Sequence, residues 1–427
     1  MVEMRGFYRL SLSERRRLLL ELGSLSEADL LALAGDGGPS AEEADKMVEN
    51  GVGVLRVPLG LCLHLGLDGR ERVVPMAVEE ASVIAAASHA AKLLATGGGI
   101  ISRADPPRMV GQIQLLDVPD LDGASATILA RQASLLARAN AVDPVLCELG
   151  GGAVALSCRR LEALPEGDPL GPMLIVELEV DVRDAMGANA VNSMCEALAP
   201  VLAKLSGGRA LLKIVTNLAD RRRVWVEGRV AVAALAPGVA ANIEAASIFA
   251  ERDPYRAATH NKGIMNGIDA VVLACGQDWR AVEAGAHAFA ARSGRYGPLA
   301  RWRVRDGWLV GQMELPMAVG VVGGIAKVHP GVRAALKLAD VQGAEDLARL
   351  VAAVGLAQNL AALRALSDEG IQRGHMRLHA RNLAVEVGAV GQEVDTVAAA
   401  MADSGSVRRD EAARLLAELR RELTRKS

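Results

Sequence analysis

Aromatic residues are nearly missing from this chain: Phe, Trp and Tyr together make up 2% of its 427 residues. With 51% of residues hydrophobic, Ala, Leu and Val must fill the core. Such a core packs small side chains closely and leaves few stacking platforms for single-stranded nucleic acid. An excess of one charge is lacking too. The 48 Lys and Arg nearly balance the 51 Asp and Glu, for a net charge of −3, which argues against a chain built mainly to bind nucleic acid. The five cysteines (Cys62, Cys147, Cys158, Cys195, Cys275) contain no C-x-x-C pair. That removes a zinc ribbon and favours reduced thiols over a disulfide framework. The N-terminus is charged within five residues and has no apolar signal core. The most apolar run, 230–250, is interrupted by Pro237, Asn242 and Glu244, so no membrane span is expected. A soluble cytoplasmic protein is expected. G-x-S-x-G, P-loop and H-E-x-x-H motifs are absent, so hydrolase, nucleotide-triphosphatase and zinc-peptidase templates find no support.

What is present is punctuated. The length suggests two or three domains. Ser11 with Glu14, Ser26 with Asp29 and Ser40 with Glu43 have capping-box spacing, so three short helices open the chain. The third is expected to stop at Asn50-Gly51. A strand-like run to Val78 leads into a helix over about 80–96, ended by Gly97-Gly98-Gly99. From 107 to 217 the pattern reads strand (109–118), helix (124–139), strands (153–160 and 173–182), helix (188–206) and strand (210–217). This β-α-β-β-α-β order is that of the split, ferredoxin-like unit. Asp306-Gly307 between apolar runs predicts a hairpin. A long helix is expected over 343–366, and three helices from about 372 onward.

Several residues can carry chemistry. Arg183-Asp184-Ala185-Met186-Gly187-Ala188-Asn189 joins a strand to a helix, where glycine lets a phosphate approach free N–H groups. It is not G-x-G-x-x-G, so an ordinary tight turn is the plainer reading. Glu79 and Glu80 precede a small-residue helix; they read as charge at a helix N-terminus or as a carboxyl group ready to give up a proton. Residues 253–269, DPYRAATHNKGIMNGID, gather Arg256, His260, Asn261, Lys262 and Asn266. Such a cluster is a solvated loop or a site in which lysine stabilises an oxyanion and arginine clamps a carboxylate. Asp278 is by default the N-cap of the next helix. His375 and His379 lie four apart, a spacing that suits metal, yet no third ligand is evident; a single His acting as an acid is chemically simpler. Local physics names no reaction.

These residues lie in motifs that closely resemble 3-hydroxy-3-methylglutaryl-coenzyme A (HMG-CoA) reductases of the soluble bacterial class. The resemblance runs over nearly the whole chain: ENGVG at 49–53, VPMAVEEASVIAAAS at 74–88, RDAMGANAVN at 183–192, DPYRAATHNKGIMNGID at 253–269, GQDWRAVEAGAHA at 276–288 and EGIQRGHM at 369–376. It implies an α+β fold. A large helix-rich substrate domain (1–106 and 218–371) would hold an inserted ferredoxin-like, split βαβ cofactor domain (107–217), followed by a C-terminal helical flap (372–427). By motif, the family's catalytic groups fall on Glu80, Lys262, Asp278 and His375. Its substrate-pocket positions fall on Arg256, Ser82, Asn217 and Asn266, and its cofactor loop on Asp184, Met186, Gly187, Ala188 and Asn189. Asp143 falls where this class places an acid beside the adenosine ribose; an acid there accepts from a 2′-OH and repels a 2′-phosphate, favouring NAD(H) over NADP(H).

The implied reaction interconverts HMG-CoA with mevalonate and coenzyme A by two hydride transfers, through mevaldyl-CoA and mevaldehyde, without metal. The alternatives are the same enzyme oxidising mevalonate with NAD, or another CoA-linked oxidoreductase on this scaffold. The resemblance also implies a homodimer as minimal unit, or a hexamer as a trimer of dimers, with no nucleic-acid or membrane partner. Gly51 stands where relatives usually carry a larger apolar residue.

Overall fold

The computed structural model describes residues 4, 6–34, 39–367 and 371–426, with the side chains of 81, 326–327, 371–378 and 422–426 outside the description. Three short helices, α1 (Leu12–Glu21), α2 (Glu27–Leu33) and α3 (Ala41–Met47), open the chain, each with both halves of its capping box formed. Helix α3 ends at Met47, earlier than Asn50-Gly51, because Val48 turns extended. Asn50 does adopt the left-handed conformation (φ 58°), but in the following loop. There Gly51 folds back on α3: a Cβ at this position would stand 2.7 Å from the Asp45 Cα. Any side chain at position 51 would therefore meet the α3 backbone.

Strands β1 (Leu59–Leu67) and β2 (Arg70–Ala77) form a hairpin and lead into α4 (Ala81–Thr96) and β3 (Ile100–Ala104). Gly97 passes against β8 (Arg223–Ala231, below), where a Cβ would lie 2.0 Å from the Arg229 carbonyl oxygen. The chain then builds β4 (Arg108–Leu116), α5 (Leu121–Ala130), α6 (Gln132–Asn140), α7 (Pro144–Glu148), β5 (Gly152–Leu161), β6 (Met173–Asp181), α8 (Ala188–Ser206) and β7 (Arg209–Val215). The single helix expected over 124–139 is two, broken at Arg131, whose carbonyl takes the Ser134 hydroxyl. Strand order is β5-β6-β4-β7 with every neighbour antiparallel, the split βαβ arrangement. Helix α8 packs Val191, Met194, Cys195, Leu198 and Leu202 into this unit's own core.

After the unit, β8 returns antiparallel to β3, from Ile100↔Gly228 to Ala104↔Val224. Entry and exit thus lie side by side, tied by Arg223 Nε to Asp105 Oδ2 at 2.8 Å. Next come α9 (Val239–Arg252), α10 (Pro254–Ala274), α11 (Trp279–Ala290), β9 (Ala300–Arg305) and β10 (Trp308–Pro316). The β9–β10 turn places Asp306 and Gly307 at φ 50° and 79°, the left-handed pair a two-residue hairpin needs. The first sheet runs β2-β1-β3-β8-β10-β9. Then follow α12 (Ile325–Val328), α13 (Pro330–Leu338) and α14 (Ala344–Ser367). Helix α14 is long and apolar enough to cross a membrane, but it is the central core helix, buried from Leu350 to Leu360. It packs with α4 and α10 against the sheet. Helices α15 (Ile371–Glu386), α16 (Gln392–Ser404) and α17 (Arg409–Lys426) close the chain around a small core of their own.

Candidate active site

Glu80 is the residue before α4, yet its carboxylate caps nothing. It turns instead to α10, where Lys262 Nζ lies 3.4 Å from Glu80 Oε2. Ser82 donates its hydroxyl to Glu80 Oε1 at 3.2 Å. Glu79 points to solvent, so the fold selects the second glutamate of the pair. The two partners come from positions 182 apart and meet because α4 and α10 pack together beside β1 and β2. The Lys262 side chain is 66% exposed and Glu80 34%, so a substrate can reach both.

The same helix carries the rest of the polar cluster. Asp253 caps α10 through the backbone N–H of Tyr255 and Arg256. Arg256 is half-buried, and burial draws its pKa below the usual arginine value. Asn266 lies one turn beyond Lys262 on the same face. His260 and Asn261 are buried and serve the core: His260 Nε2 lies 3.1 Å from the Ala300 carbonyl, and Asn261 donates to Tyr296 and Gly297. Asn217 is exposed just after β7, its carbonyl packed against α11 at Gly285.

Asp278 is the N-cap of α11, accepting from Ala281 N–H at 3.1 Å, with Arg280 3.5 Å away. Among the described residues no hydrogen bond or ion pair joins it to Lys262 or Glu80. His375 lies in α15, but its side chain is outside the description; α15 packs against α4, the helix that Glu80 precedes. His379 is exposed. Among the described residues no group of three or more His, Cys, Asp or Glu is placed to hold a metal ion.

The RDAMGAN segment forms a separate cradle at the start of α8. Gly187 has φ 102° and no side chain caps the helix, so the first-turn N–H groups are free to take an anion. A Cβ on Gly187 would lie 2.6 Å from Val182 Cγ1, so the turn admits only glycine. Arg183 is held at φ 51° while its guanidinium bonds the Gly150 carbonyl and lies 3.3 Å from Asp181 Oδ1. Asp184 accepts from the Ala344 N–H at 2.8 Å, docking the loop on α14. Asp143 caps α7 through Leu146 N–H at 3.0 Å, just before the triple glycine that Arg183 touches. The free N–H groups at this helix start suit a negatively charged ligand.

Two residues that organise this cradle escaped the sequence reading. Arg222 is buried and donates to the Val319 carbonyl at 2.5 Å, Ala185 at 3.1 Å and Met186 at 3.4 Å. Burial pulls its pKa down to about 10, so it stays charged at neutral pH. Gln277 accepts from the Gly320 N–H at 2.8 Å. A Cβ on Gly320 would stand 2.3 Å from the Met186 nitrogen, so Gln277, beside Asp278, is linked through Gly320 to the cofactor loop. Only the polar pattern around Asn217 and the GQDW motif could have pointed to them. A cleft of about 1710 Å³ is lined by residues that include Ala77 and Ile84 but neither Glu80 nor Lys262. Its lining includes Arg9, Arg16, Arg56, Ser88 and Lys92.

A family profile described as hydroxymethylglutaryl-coenzyme A reductase matches residues 11–380. The 3-hydroxy-3-methylglutaryl-coenzyme A reductase of Archaeoglobus fulgidus is 47% identical over 97% of this chain and 94% of its own. A probable reductase of Borreliella burgdorferi is 34% identical over 79% and 77%. The Streptococcus pneumoniae reductase superposes with a TM-score of 0.83 at 40% identity, covering 98% of this chain and all of that one. A structure of the Streptococcus pneumoniae class II enzyme bound to NADPH has a TM-score of 0.82 at 41% identity, covering 86% and 100%. With these matches spanning both sheets and the Glu80–Lys262 pair, the chain belongs to the HMG-CoA reductase family.

Proposed function

We propose that this chain reduces the thioester of HMG-CoA to the alcohol of mevalonate, using Lys262, Glu80, His375 and Asp278 as its reacting groups. The observation that carries the proposal is the ammonium–carboxylate pair Lys262–Glu80 at 3.4 Å, with a phosphate cradle elsewhere on the chain. The nicotinamide cofactor supplies hydride to a carbonyl carbon in each of two steps. Lys262 stabilises the negative charge that develops on the thioester oxygen, an effect worth about 3–4 kcal/mol per good donor. When the hemithioacetal collapses, its C–S bond breaks and coenzyme A leaves as a thiolate; His375 gives that sulfur a proton and prevents return. In the second reduction Glu80, once it has taken up a proton from solvent, passes it to the aldehyde oxygen as the alcohol forms. Asp278 belongs to the same set in this reading, with its carboxylate capping α11 in this structure rather than bonded to Lys262 or Glu80.

Arg256 suits the free carboxylate of the hydroxymethylglutaryl group, with Ser82, Asn217 and Asn266 lining the pocket. Arg9, Arg16, Arg56 and Lys92 in the large cleft suit the phosphates of coenzyme A. The cofactor is NAD(H) in this reading: Asp143 spends one oxygen on its helix cap and leaves the other for a ribose 2′-OH. The enzyme works as a cytoplasmic homodimer, with 107–217 as its cofactor domain and 372–427 as a flap that closes over the site. The test is one assay series. HMG-CoA should drive NADH oxidation faster than NADPH oxidation, and mevalonate with coenzyme A should reduce NAD. No HMG-CoA-dependent oxidation of either cofactor would sink the reading; an NADPH preference would overturn the role given to Asp143.

A further inference from the structure

We infer that Asn261, Tyr296 and His287 form a hydrogen-bonded relay that fixes the turn of α10 carrying Lys262, and so act as positioning residues for the reaction proposed above. Asn261 is fully buried, while Lys262, the next residue, has its side chain 66% exposed beside Glu80. Consecutive side chains on a helix point about 100° apart, so the direction of one sets the direction of the next. The Asn261 amide is committed inward. Its Nδ2 donates to the Tyr296 hydroxyl oxygen and to the Gly297 carbonyl, each at 3.0 Å, and its Oδ1 accepts from the Leu299 N–H at 2.9 Å. One residue earlier, His260 Nε2 lies 3.1 Å from the Ala300 carbonyl. Rotating this turn of α10 to carry Lys262 away from Glu80 would break all of these bonds together. On the other side of Lys262 stands Gly263, which has no side chain to hold the turn.

Residues 296–299 lie in the loop between α11 and β9, and α11 anchors that loop. The Tyr296 oxygen is 2.7 Å from His287 Nδ1, with the two rings stacked at 6.0 Å and 27° from parallel. Because Asn261 donates to that oxygen, the hydroxyl proton is left for His287 Nδ1. Gly297 supplies a second rung: its N–H donates to the Ala290 carbonyl of α11 at 3.0 Å, while its own carbonyl takes the Asn261 amide. Two rungs thus run from α11 to Asn261, one through a hydroxyl and one through backbone. The backbone rung holds the loop whatever stands at position 296, so loss of the hydroxyl frees half of the Asn261 donor without releasing the loop.

The inference rests on the reductase reading, and the experiment separates the two. Y296F removes one oxygen and keeps the ring. Its kcat for HMG-CoA reduction should fall about 10-fold or more, the scale of a slightly misplaced reacting group, with KM for NADH unchanged because no bond of the relay reaches the RDAMGAN cradle. H287L should behave alike, and H287N, whose amide can stand where Nδ1 stands, should recover most of the rate. In K262M the ammonium to be positioned is gone, so adding Y296F should cost less than about twofold more; a merely structural defect would multiply the two losses. The Leu299 amide should exchange with deuterium faster in Y296F than in the native protein. A Y296F rate within about twofold of native, H287N no better than H287L, equal fold-losses from Y296F in the native and K262M backgrounds, or an unchanged Leu299 exchange rate would each overturn the positioning role. Failure of the reductase reading shows differently: the native protein itself turns over no HMG-CoA, while Y296F still speeds exchange at Leu299.

Discussion

Replacing Lys262 by methionine keeps an unbranched side chain, one atom shorter, and removes its charge, so it separates stability from catalysis. The ammonium is 66% exposed and 3.4 Å from Glu80. An ion pair that accessible contributes about 0–1 kcal/mol to folding. In a chain of this size that moves the unfolding midpoint by no more than about 2–4 °C. Its role at the developing oxyanion is larger, about 3–4 kcal/mol, which at roughly 1.4 kcal/mol per tenfold corresponds to a loss of about 10²–10³ in kcat. K262M should therefore unfold like the native protein and turn over HMG-CoA at least a hundredfold more slowly, with a smaller change in KM. The measurements are a thermal melt and NADH oxidation at saturating HMG-CoA. A kcat within tenfold of native would refute the oxyanion role. A collapse of the melting temperature would show that the pair is structural.

His375→Gln should slow thioester reduction far more than the reduction of added mevaldehyde, because only the first releases a thiolate; equal losses on both substrates would contradict the assignment. Arg222→Met removes the donor shared by the Val319, Ala185 and Met186 carbonyls. Charged hydrogen bonds of this kind contribute about 1.5–3 kcal/mol each. KM for the nicotinamide cofactor should rise about tenfold or more, with kcat less affected, and an unchanged cofactor KM would show that the loop holds its shape without Arg222. Burial holds His260 down at about 4 against an ordinary value of 6.5. A histidine depressed in the folded state leaves stability intact above 6.5 and removes it as pH falls toward about 4, because the unfolded chain then binds the extra proton. The unfolding free energy from denaturant melts should decline across that window by up to about 1.4 kcal/mol per pH unit, and H260N should flatten the decline. A slope that persists in H260N would assign it to other groups.

Local signals were written plainly in the sequence. Helix α8 runs over 188–206, as its pattern predicts, because Gly187 and Gly207 both sit in the left-handed region at its ends. The capping boxes at Ser11, Ser26 and Ser40 and the Asp306-Gly307 hairpin are equally short-range. Strands β3 and β8 went unread, since each is defined by its pairing with the other across the whole inserted unit. No local periodicity reports such a partner. The site divides the same way. Motif resemblance named Glu80 and Lys262, but their meeting depends on how closely α10 can approach its neighbours. At Gly267 a Cβ would stand 2.7 Å from the Gln358 Cβ and 3.1 Å from the Val354 carbonyl, so glycine there admits α14 against α10. Trp302 needs a similar allowance: Gly311 opposite it leaves the slot its ring fills, and its Nε1 donates to Asn359 Oδ1 at 2.8 Å. With only 2% aromatics, close approach between small residues replaces bulk as the means of holding α4, α10 and α14 in register. A reacting pair carried on two such helices inherits its geometry from residues that touch neither member, which is why the part played by Gly267 becomes visible only once the helices are in place.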